Sequence, residues 1–479
     1  MKIDKYPKGI VTPPPSKSIS HRALICASLA GGTAAVSRII NLGESDDIAA
    51  TRDAIKTILA GDNTKAINVN ESGSTLRFLI PLALDGKEWT FSGAEGLFTR
   101  PLGIYEDIIK GHGGVFELSI ADNHGSGDSG AGDFGAGDSG ADYNYSDDND
   151  ADNHGAVLKI KGCLQSGVYE IPGNISSQFI SGLLLALPML DGDSEIKLTT
   201  HIESESYVDI TISCMKDFGV NIEKNVSNGE TIGYRIRGGQ SYEETVYIKE
   251  TGYTVEADYS QAAFFLCAAA LGADVKVAGL CENSLQGDKY ILEVLRGMGA
   301  EITVTEDYIA VHREIEPQNE YDSRHKKAKP QDGCNNEIEQ QNEYDSRRKK
   351  AKQLKAMTID VSDIPDLVPP IAALACYAKG TTRLINASRL RMKESDRLAA
   401  LASELSKIGA NIEALHDELI IVGRESLDGG ITDSWNDHRI AMALALASIG
   451  CQSDVIIKRA DAVKKSYPKF WEDFCVAEK

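Results

Sequence analysis

The sequence predicts an α/β fold divided into two domains, and two observations support this prediction. The chain has 479 residues, which is long for a single hydrophobic core. Four times, an amphipathic helix pattern ends at glycine and is followed at once by the alternating apolar residues typical of a strand. These patterns cover residues 105–118, 209–223, 290–304 and 398–414, with glycine at 113 and 114, 219, 299 and 409. Once two polar segments are set aside, the copies recur about every 70 to 80 residues, so we expect domains built from stacked copies of one unit.

Two polar segments interrupt this pattern. Residues 121–155 consist mainly of Gly, Asp, Ser and Asn, and in residues 313–353 the stretch 314–329 recurs nearly verbatim as 337–352. Neither segment carries enough apolar side chains to offset the entropy of ordering it, so we predict two disordered insertions. Basic clusters in the second segment leave contact with nucleic acid as an alternative, although the interspersed acidic residues favour a solvated loop.

Composition and charge argue against several classes of protein. No apolar run reaches 18 residues, and the N-terminus lacks an apolar stretch with a cleavage site, so we predict a cytoplasmic protein without a membrane span. The nine cysteines are scattered without a CxxC pair, which indicates buried, reduced thiols rather than disulfides or a zinc site. The formal net charge of −21 repels nucleic acid, so an anion site in this chain requires a local concentration of cations.

The first such concentration is the sequence Ser-Lys-Ser-Ile-Ser-His-Arg at residues 16–22. Three prolines precede it and a helical run follows it, so Lys17, Ser18 and Arg22 lie near a helix N-terminus. An ammonium, a hydroxyl and a guanidinium in that place form an anion site. The alternative is that Ser16 only caps the helix and the cations face solvent.

A second junction, Glu-Ser-Gly-Ser-Thr-Leu-Arg at residues 71–77, repeats this arrangement. Gly73 allows backbone N–H groups to approach a ligand, and Arg77 lies one turn into the next predicted helix. Arg100 adds a cation ahead of another helix. Because Gly-Ser pairs are also common in ordinary turns, this stretch alone has low specificity for an anion site.

Neutral hydrogen-bonding side chains precede two further predicted helices. Ser176, Ser177 and Gln178 stand in a row before an apolar helix, and Ser204 and Tyr207 stand just before the next one. Such side chains bind phosphate or hydroxyl groups without adding charge.

One carboxylate, Asp366, lies in an apolar Ile-Pro-Asp-Leu-Val loop before a helix. Burial raises the pKa of such a group whereas nearby cations lower it, and this balance is how a general base is tuned. From this segment alone, an aspartate that caps the helix is an equally good interpretation.

The stretch 389–397, Arg-Leu-Arg-Met-Lys-Glu-Ser-Asp-Arg, has the densest charge. We expect a helix to begin near Ser395 and to place Lys393, Glu394 and Arg397 on one face. Two cations beside a carboxylate suit an anionic substrate that exchanges a proton. A solvated surface helix with internal ion pairs is the alternative.

Arg439 and Lys465 complete the set of cations. Arg439 stands in the first turn of a predicted helix, where it opposes the helix dipole, so a ligand is the better reason for its position. The cations that stand mostly at strand-to-helix junctions are Lys17, Arg22, Arg77, Arg100, Lys393, Arg397, Arg439 and Lys465. Together they predict a site for an anionic substrate.

The stretches SKSISHR, SSQF, IPD, KESDR and NDHR, in this order, resemble the 5-enolpyruvylshikimate-3-phosphate synthases, a family of enolpyruvyl transferases. The resemblance runs nearly end to end outside the two insertions. It implies an α/β fold of the inside-out barrel type, with three βαβαββ units in each of two domains. It places residues 1–15 with 257–479 in a C-terminal domain and residues 16–256 in an N-terminal domain.

The resemblance also implies the reaction of this family. The enolpyruvyl group of phosphoenolpyruvate is transferred to the 5-hydroxyl of shikimate 3-phosphate with release of phosphate, which is the sixth step of the shikimate pathway to chorismate and the aromatic amino acids. Both substrates are small anions. The resemblance implies no cofactor, no metal, no nucleic-acid or membrane partner, and a monomer.

Roles for individual residues follow from the same resemblance. Asp366 matches the base that takes the proton from the 5-hydroxyl, and Glu394, together with Lys17, matches the group that protonates the methylene carbon. The positions that hold shikimate 3-phosphate are matched by Lys17, Ser18, Arg22, Ser176, Ser177, Gln178, Ser204, Tyr207, Asp366 and Lys393. The positions that hold phosphoenolpyruvate are matched by Lys17, Gly73, Arg100, Gln178, Arg397, Arg439 and Lys465.

Two positions depart from the family pattern. Some members carry Asn where Arg389 stands, and residues 71–74, Glu-Ser-Gly-Ser, replace an Asn-Ala-Gly-Thr sequence. Because Gly73 is retained where alanine confers tolerance in some relatives, we expect sensitivity to the herbicide glyphosate.

Two other functions compete with this one. The related transferase that acts on UDP-N-acetylglucosamine usually shows Lys-Asn where Lys17 and Ser18 stand, and it carries a reactive loop cysteine, whereas no cysteine lies between residues 41 and 156 of this chain. A non-catalytic anion-binding protein with the same fold has no need of both Asp366 and Glu394.

Overall fold

A computed structural model describes residues 1–3, 6–120, 155–313 and 352–475. The two predicted insertions, 121–155 and 313–353, lie outside the described residues except at their edges, so the prediction of disorder there stays a prediction.

Strands and helices alternate along the described chain. The strands are β1 (Lys2–Ile3), β2 (Gly9–Val11), β3 (Ile39–Ile40), β4 (Ile67–Asn68), β5 (Asp85–Gly93), β6 (Val115–Ser119), β7 (Ala156–Cys163), β8 (Val168–Ile171), β9 (Ser194–Leu198), β10 (Ile222–Ser227), β11 (Glu230–Ile236), β12 (Tyr253–Thr254), β13 (Val275–Ala278), β14 (Ala300–Val304), β15 (Tyr308–Arg313), β16 (Thr358–Asp360), β17 (Thr381–Ile385), β18 (Asn411–Ala414), β19 (Glu418–Val422), β20 (Gly430–Asp433) and β21 (Val455–Lys458). The α-helices are α1 (Lys17–Val36), α2 (Asp46–Ala60), α3 (Gly73–Leu79), α4 (Glu95–Phe98), α5 (Gly103–Gly111), α6 (Ser177–Ala186), α7 (Glu205–Asp217), α8 (Val246–Thr251), α9 (Tyr259–Leu271), α10 (Ile291–Gly297), α11 (Val368–Ala375), α12 (Arg397–Lys407), α13 (His438–Ser448) and α14 (Phe470–Phe474).

One sheet topology recurs four times among the described residues. The strand orders are β4-β5-β7-β6, β8-β9-β11-β10, β2-β13-β15-β14 and β16-β17-β19-β18. In each sheet the first two strands are parallel and the remaining pairs are antiparallel. A parallel pair requires a crossover helix, whereas the last two strands form a hairpin, so each copy is a βαβαββ unit. Two smaller sheets, β3-β12 and β1-β21-β20, complete the set.

The predicted helix-to-strand junctions are confirmed. Helices α5, α7, α10 and α12 are followed by β6, β10, β14 and β18. The glycines between them have positive φ, at +75° for Gly113, +84° for Gly219, +95° for Gly299 and +93° for Gly409. Glycine adopts this left-handed conformation without steric cost, so the chain ends each helix and turns at once into the strand.

Buried apolar residues form two separate cores. One contains residues from 19 to 255, and the other contains Ile3, Val11 and residues from 259 to 474. The N-terminal strands pair with late ones, β1 with β21 and β2 with β13. The chain passes between the cores at Ser16, whose N–H donates to the carbonyl of Glu256 at 2.8 Å. From these cores we propose the domain limits 1–15 with 257–479, and 16–256.

Cysteine side chains depart partly from prediction. Cys26, Cys214, Cys267 and Cys376 are thiols outside any disulfide and are buried as expected. The prediction of burial is wrong for the exposed Cys163, which lies at the end of β7, and for Cys281, which is also exposed.

In the described chain, no helix is long and apolar enough to cross a bilayer, and no group of three His, Cys, Asp or Glu side chains is placed to hold a metal ion.

Candidate active site

A cleft between the two cores collects the predicted site residues, and all of them except Lys465 line it. Eight cations and five carboxylates face the cleft, so its lining is positive although the chain is acidic. The cations are Lys17, Arg22, Arg77, Arg100, Arg389, Lys393, Arg397 and Arg439, and the carboxylates are Asp47, Glu71, Asp258, Asp366 and Glu394. Burial lowers the pKa of the neighbouring His438 to about 3, so this side chain is neutral at pH 7.

Helix α1 brings Arg22 into the cleft. Ser16 caps the helix, as the alternative interpretation expected, but the cations of its first two turns do not face solvent. The buried Arg22 guanidinium donates to Thr211 Oγ1 at 2.5 Å and to the carbonyls of Ser18 and Tyr207 at 2.7 and 2.9 Å. These partners are neutral, and no carboxylate of the described chain pairs with Arg22. Burial lowers the pKa of Arg22 to about 10, so the guanidinium still carries its charge at pH 7.

Lys17 is held by a carboxylate that the sequence analysis did not assign. Its Nζ lies 2.8 Å from Oδ2 of Asp47, in the first turn of α2. Burial alone would lower the pKa of Lys17, but the charges of Asp47 and Glu394 outweigh that effect and raise it. Lys17 therefore keeps its proton, and the ion pair with Asp47 orients its side chain.

Helix α3 places Arg77 beside Arg100 and Gln178. Arg77 Nη1 donates to Gln178 Oε1 at 2.8 Å. A Cβ atom on Gly73 would lie 2.9 Å from Arg77 Nη1 and 3.5 Å from Arg100 Nη1, so a side chain there would displace the guanidinium groups. The Nε atoms of both arginines are buried without a hydrogen-bond partner, and neither arginine pairs with a carboxylate of the described chain. Among the described residues, the charge nearest in effect to this pair is Glu394, whose pKa Arg100 helps to lower.

The row of neutral side chains lies at the start of α6. Ser176 caps this helix by accepting a hydrogen bond from the backbone N–H of Gln178 at 3.3 Å, and Ser177 begins the helix. The Gln178 amide donates to Ser74 Oγ at 3.0 Å, so it connects the start of α6 with the start of α3. All three side chains of the row face the cleft, as predicted.

Ser204 and Tyr207 reach from the first core to the second. Ser204 has a left-handed backbone, with φ of +57°, and its N–H donates to Asp363 Oδ1 at 2.7 Å. The Tyr207 hydroxyl donates to Asp366 Oδ2 at 3.2 Å. Both predicted residues therefore lie where the two halves of the cleft meet.

Asp366 is surrounded by cations and does not cap the following helix. Its carboxylate lies 2.9 Å from Arg397, 3.2 Å from Arg439 and 3.7 Å from Lys393. Burial alone would raise the pKa of Asp366, but Arg439, Lys393 and Arg397 outweigh burial and hold the pKa well below its usual range. The group is a carboxylate, the form that accepts a proton.

The stretch 389–397 differs from prediction in one respect. The helix begins at Arg397 with Asp396 as its cap, so Lys393 and Glu394 lie on the preceding loop and not on a shared helix face. The Asp396 carboxylate accepts the backbone N–H of Ala399 at 3.0 Å, and this bond sets the helix start. The loop still folds back, and Glu394 Oε2 lies 2.6 Å from Arg397 Nη2.

Asp437 forms an ion pair with Arg397 and caps α13. Its carboxylate lies 2.9 Å from Arg397 Nε and accepts the backbone N–H of Arg439 at 2.9 Å. Arg397 is 1% exposed and Asp437 is fully buried. Each side chain therefore provides the other with the charged partner that water provides at the surface. Arg439 stands in the first turn of α13, as predicted, and its guanidinium reaches Asp366.

Lys465 approaches the cleft differently from the other predicted residues. Its Nζ lies 2.5 Å from Glu71 Oε2, across the gap between the cores, and donates to the carbonyl of Asn436 at 2.8 Å. Lys465 does not line the cleft itself but contacts Glu71, which does.

Four charged residues that line the cleft received no role from the sequence: Asp47, Glu71, Asp258 and Arg389. Asp437, which pairs with Arg397 behind the lining, received none either. For Asp47 the sequence does contain a signal, since two acidic residues stand together in the first turn of α2. Carboxylates are favourable in the first turn of any helix, so this signal does not distinguish a residue of the cleft. Arg389 Nη1 lies 3.0 Å from Glu203 Oε2, a pairing between distant segments that no local pattern predicts.

The fold of this chain is shared with solved structures of two other proteins. Its structure is similar to EPSP synthase from Acinetobacter baumannii, with a TM-score of 0.67 and 22% identity over 98% of this chain and 96% of that one. It is also similar to the enolpyruvyl transferase NikO from Streptomyces tendae, with a TM-score of 0.63 and 15% identity over 100% and 97% of the two chains.

The sequence comparisons define the family. The chain belongs to the EPSP synthase (3-phosphoshikimate 1-carboxyvinyltransferase) family, whose pattern matches residues 1–113, 148–332 and 325–474. It is 42% identical to a 3-phosphoshikimate 1-carboxyvinyltransferase from Clostridium kluyveri, covering 98% of this chain and 94% of the relative. It is 40% identical to the protein of that name from Clostridium novyi, covering 97% and 94%.

Proposed function

We propose that this chain transfers the enolpyruvyl group of phosphoenolpyruvate to the 5-hydroxyl of shikimate 3-phosphate and releases phosphate. One observation carries the proposal. The buried guanidinium groups of Arg22 and Arg77 form no ion pair with a carboxylate of the described chain and face one cleft, together with the half-buried Arg100 and the ionised carboxylate of Asp366. Buried cations without counter-ions require anionic ligands, and both substrates are anions.

Shikimate 3-phosphate binds mainly to the first core. Arg22 lies close to Ser18 and Tyr207 and provides a charge, while the hydroxyls around the start of α6 provide neutral donors. The residues assigned to this substrate are Lys17, Ser18, Arg22, Ser176, Ser177, Gln178, Ser204, Tyr207, Asp366 and Lys393.

Phosphoenolpyruvate binds across the two cores. Gly73 leaves room beside Arg100, and Arg397 and Arg439 face them from the second core. Guanidinium groups bind carboxylate and phosphate oxygens in pairs, which suits a ligand that carries both groups. The residues assigned to this substrate are Lys17, Gly73, Arg100, Gln178, Arg397, Arg439 and Lys465.

Asp366 takes the proton of the 5-hydroxyl as that oxygen attacks. The cations around it hold its pKa low, which makes it a weak base. Binding of phosphoenolpyruvate at Arg397 and Arg439 supplies competing negative charge and so raises the proton affinity of Asp366. The base is thus strengthened only when the second substrate is present.

Lys17 and Glu394 deliver a proton to the methylene carbon. Burial would raise the pKa of Glu394, but Arg397 outweighs burial and keeps it ionised, whereas Lys17 holds a proton. Bound substrate compensates the charge of Arg397 and so raises the proton affinity of Glu394, which takes up a proton and gives it, beside Lys17, to the methylene carbon as the 5-hydroxyl oxygen bonds to the neighbouring carbon. When the C–O bond to phosphate breaks, the methyl group of the adduct returns a proton to this pair and the C=C bond forms again. The cations stabilise carboxylate and phosphate as charge shifts through a tetrahedral adduct.

The cleft is complete within one chain, which supports a monomer. We place this enzyme in the cytoplasm, and the free thiols of the described chain support that assignment.

Product analysis tests the acceptor. Phosphoenolpyruvate is incubated with the protein and either shikimate 3-phosphate or UDP-N-acetylglucosamine, and the enolpyruvyl ether is identified by NMR. We expect the ether of shikimate 3-phosphate alone. The ether of UDP-N-acetylglucosamine would assign the chain to the rival reaction, and tight binding of shikimate 3-phosphate without any product would make it a non-catalytic binding protein.

A further inference from the structure

Two consecutive residues of the second core, Trp435 and Asn436, have left-handed backbones, with φ of +54° and +56°. They lie in the loop 434–437, which connects β20 with α13. A left-handed backbone costs free energy in residues other than glycine, because it brings the Cβ atom close to a carbonyl oxygen, and a bulky residue such as tryptophan rarely adopts it. Contacts with the surrounding fold must therefore stabilise this loop.

Glu404 provides two of these contacts. This side chain is 1% exposed and lies on α12, about two turns after Arg397. Its Oε1 accepts the indole N–H of Trp435 at 2.8 Å, and its Oε2 accepts the backbone N–H of Asp433, which ends β20, at 2.9 Å. Burial alone would raise the pKa of Glu404, but the hydrogen bonds that it accepts, first those from Lys407, outweigh burial and lower it. The group is therefore a carboxylate at pH 7, and both of its oxygens hold the loop.

A second set of bonds joins the loop to the turn that ends at Lys465. Arg459 stands directly before this turn. Its Nε donates to Asp433 Oδ1 at 2.8 Å, and its carbonyl accepts the Ser434 hydroxyl at 2.9 Å. Lys465 Nζ donates to the carbonyl of Asn436, inside the left-handed pair, at 2.8 Å. The conformation of the pair therefore decides where this carbonyl holds the ammonium group.

The loop is the place where three segments of the second core meet, and each segment carries a cation assigned to phosphoenolpyruvate. Arg397 begins the helix that carries Glu404. The loop ends at Asp437, which caps the helix of Arg439. Lys465 donates to the loop directly. A change in the loop is therefore transmitted to the positions of these cations relative to one another.

We propose that Glu404 and Trp435 are positioning residues for phosphoenolpyruvate. The hydrogen bond between them holds the left-handed pair, and this pair sets the distance between Arg439 and Lys465. Neither Glu404 nor Trp435 lines the cleft, so both act through the cations. The inference rests on the proposed function, because it requires phosphoenolpyruvate at these cations. Since the bond lies within the second core, it affects phosphoenolpyruvate more than shikimate 3-phosphate, which we assign mainly to the first core.

Trp435→Phe tests this role, because phenylalanine keeps an aromatic ring and removes the indole N–H. We expect the KM for phosphoenolpyruvate to rise about tenfold, at the low end of what a hydrogen bond to a charged group contributes. The KM for shikimate 3-phosphate should stay unchanged. A role confined to folding would instead lower the fraction of active protein, and with it kcat, at an unchanged KM for either substrate.

Glu404→Gln changes the other partner of the bond. Glutamine carries one oxygen and one NH2 group, so it cannot accept both the Trp435 indole N–H and the Asp433 backbone N–H at the places of the two carboxylate oxygens. We expect a similar rise in the KM for phosphoenolpyruvate. The double variant should show about the same tenfold rise as each single variant, because both changes remove one shared interaction.

Trp89→Phe is the matched control. Trp89 is a buried tryptophan of the first core, and its indole N–H also donates to a carboxylate, Asp85 Oδ1, at 3.0 Å. This variant loses the same kind of bond without a contact to the loop 434–437. We expect both KM values to equal those of the wild type.

Four results would overturn the inference. They are an unchanged or lowered KM for phosphoenolpyruvate in Trp435→Phe, an equal rise in the KM values for both substrates, a rise of the same size in Trp89→Phe, and a double variant in which the two single effects multiply. Failure of the proposed function is distinguishable from all four, because wild-type protein would then release no phosphate when both substrates are present.

Discussion

At the scale of single residues, the pair formed by Asp47 and Lys17 decides over which pH range Lys17 keeps its proton. Asp47 contributes to raising the pKa of Lys17. In Asp47→Asn we therefore expect the alkaline limb of the profile of kcat/KM against pH to move to lower pH. We also expect kcat at pH 7 to fall about tenfold, a part of what general acid catalysis contributes.

Asp46→Asn is the control for this prediction. Asp46 stands in the same helix turn but is exposed, so its loss removes a similar charge without touching Lys17. A profile that moves equally in both variants, or in neither, would contradict a specific role of Asp47 in positioning Lys17.

We expect the space beside Gly73 to determine how strongly glyphosate inhibits the enzyme. We expect glyphosate to compete with phosphoenolpyruvate in the wild type. Gly73→Ala introduces a Cβ atom 2.9 Å from Arg77 Nη1. The Arg77 guanidinium must move to make room, which displaces one cation of the cleft, so we expect the inhibition constant for glyphosate to rise about tenfold, equivalent to about 1.4 kcal/mol.

Gly96→Ala serves as the comparison, since its Cβ would have nothing within 4 Å. Inhibition assays at several concentrations of phosphoenolpyruvate provide the measurement. An inhibition constant that does not depend on phosphoenolpyruvate would refute the competition.

Residue types at helix starts predicted which side chains face the cleft but not which partners they take. Arg22, Gln178 and Asp366 carry local signals, because cap and first-turn positions expose donors to a ligand. The partner of Lys465 lies 394 residues away in sequence, and such a contact depends on the assembled cores.

At the scale of secondary-structure elements, the cap of α12 determines where Glu394 and Arg397 stand. Removal of an N-cap aspartate costs about 1 kcal/mol, so we expect Asp396→Ala to lose that much stability in urea unfolding and to lose activity as well.

Asp396→Asn separates the two contacts of this side chain, because asparagine still caps a helix but cannot form the ion pair with Arg391 at 2.7 Å. We expect Asp396→Asn to be nearly as stable as the wild type. Equal destabilisation of both variants would assign the effect to the ion pair.

The helices and their glycine ends were predictable because a helix period and a positive-φ residue are local signals, as at Gly299 and Gly409. The prediction placed the start of α12 too early, because it assigned Lys393 and Glu394 to the helix. Which of several adjacent polar residues caps a helix depends on the backbone geometry at the helix end, and the sequence alone does not determine it. Strand pairing across the chain, such as β2 with β13, has no local signal, and it came from the family resemblance.

At the scale of the whole molecule, two cores built from the same unit meet around a positive cleft in an acidic chain. This local excess of positive charge suits the binding of two anions side by side, because eight cations and five carboxylates line the cleft whereas the chain as a whole carries a net charge of −21. Neither half contains all the residues assigned to either substrate, so catalysis depends on both cores.

The most direct measurement is phosphate release on mixing the protein with shikimate 3-phosphate and phosphoenolpyruvate, beside the Asp366→Ala variant. We expect release that requires both substrates and falls at least about a hundredfold in the variant, since Asp366 is the base. Release from phosphoenolpyruvate alone, or an unaffected Asp366→Ala variant, would contradict the account.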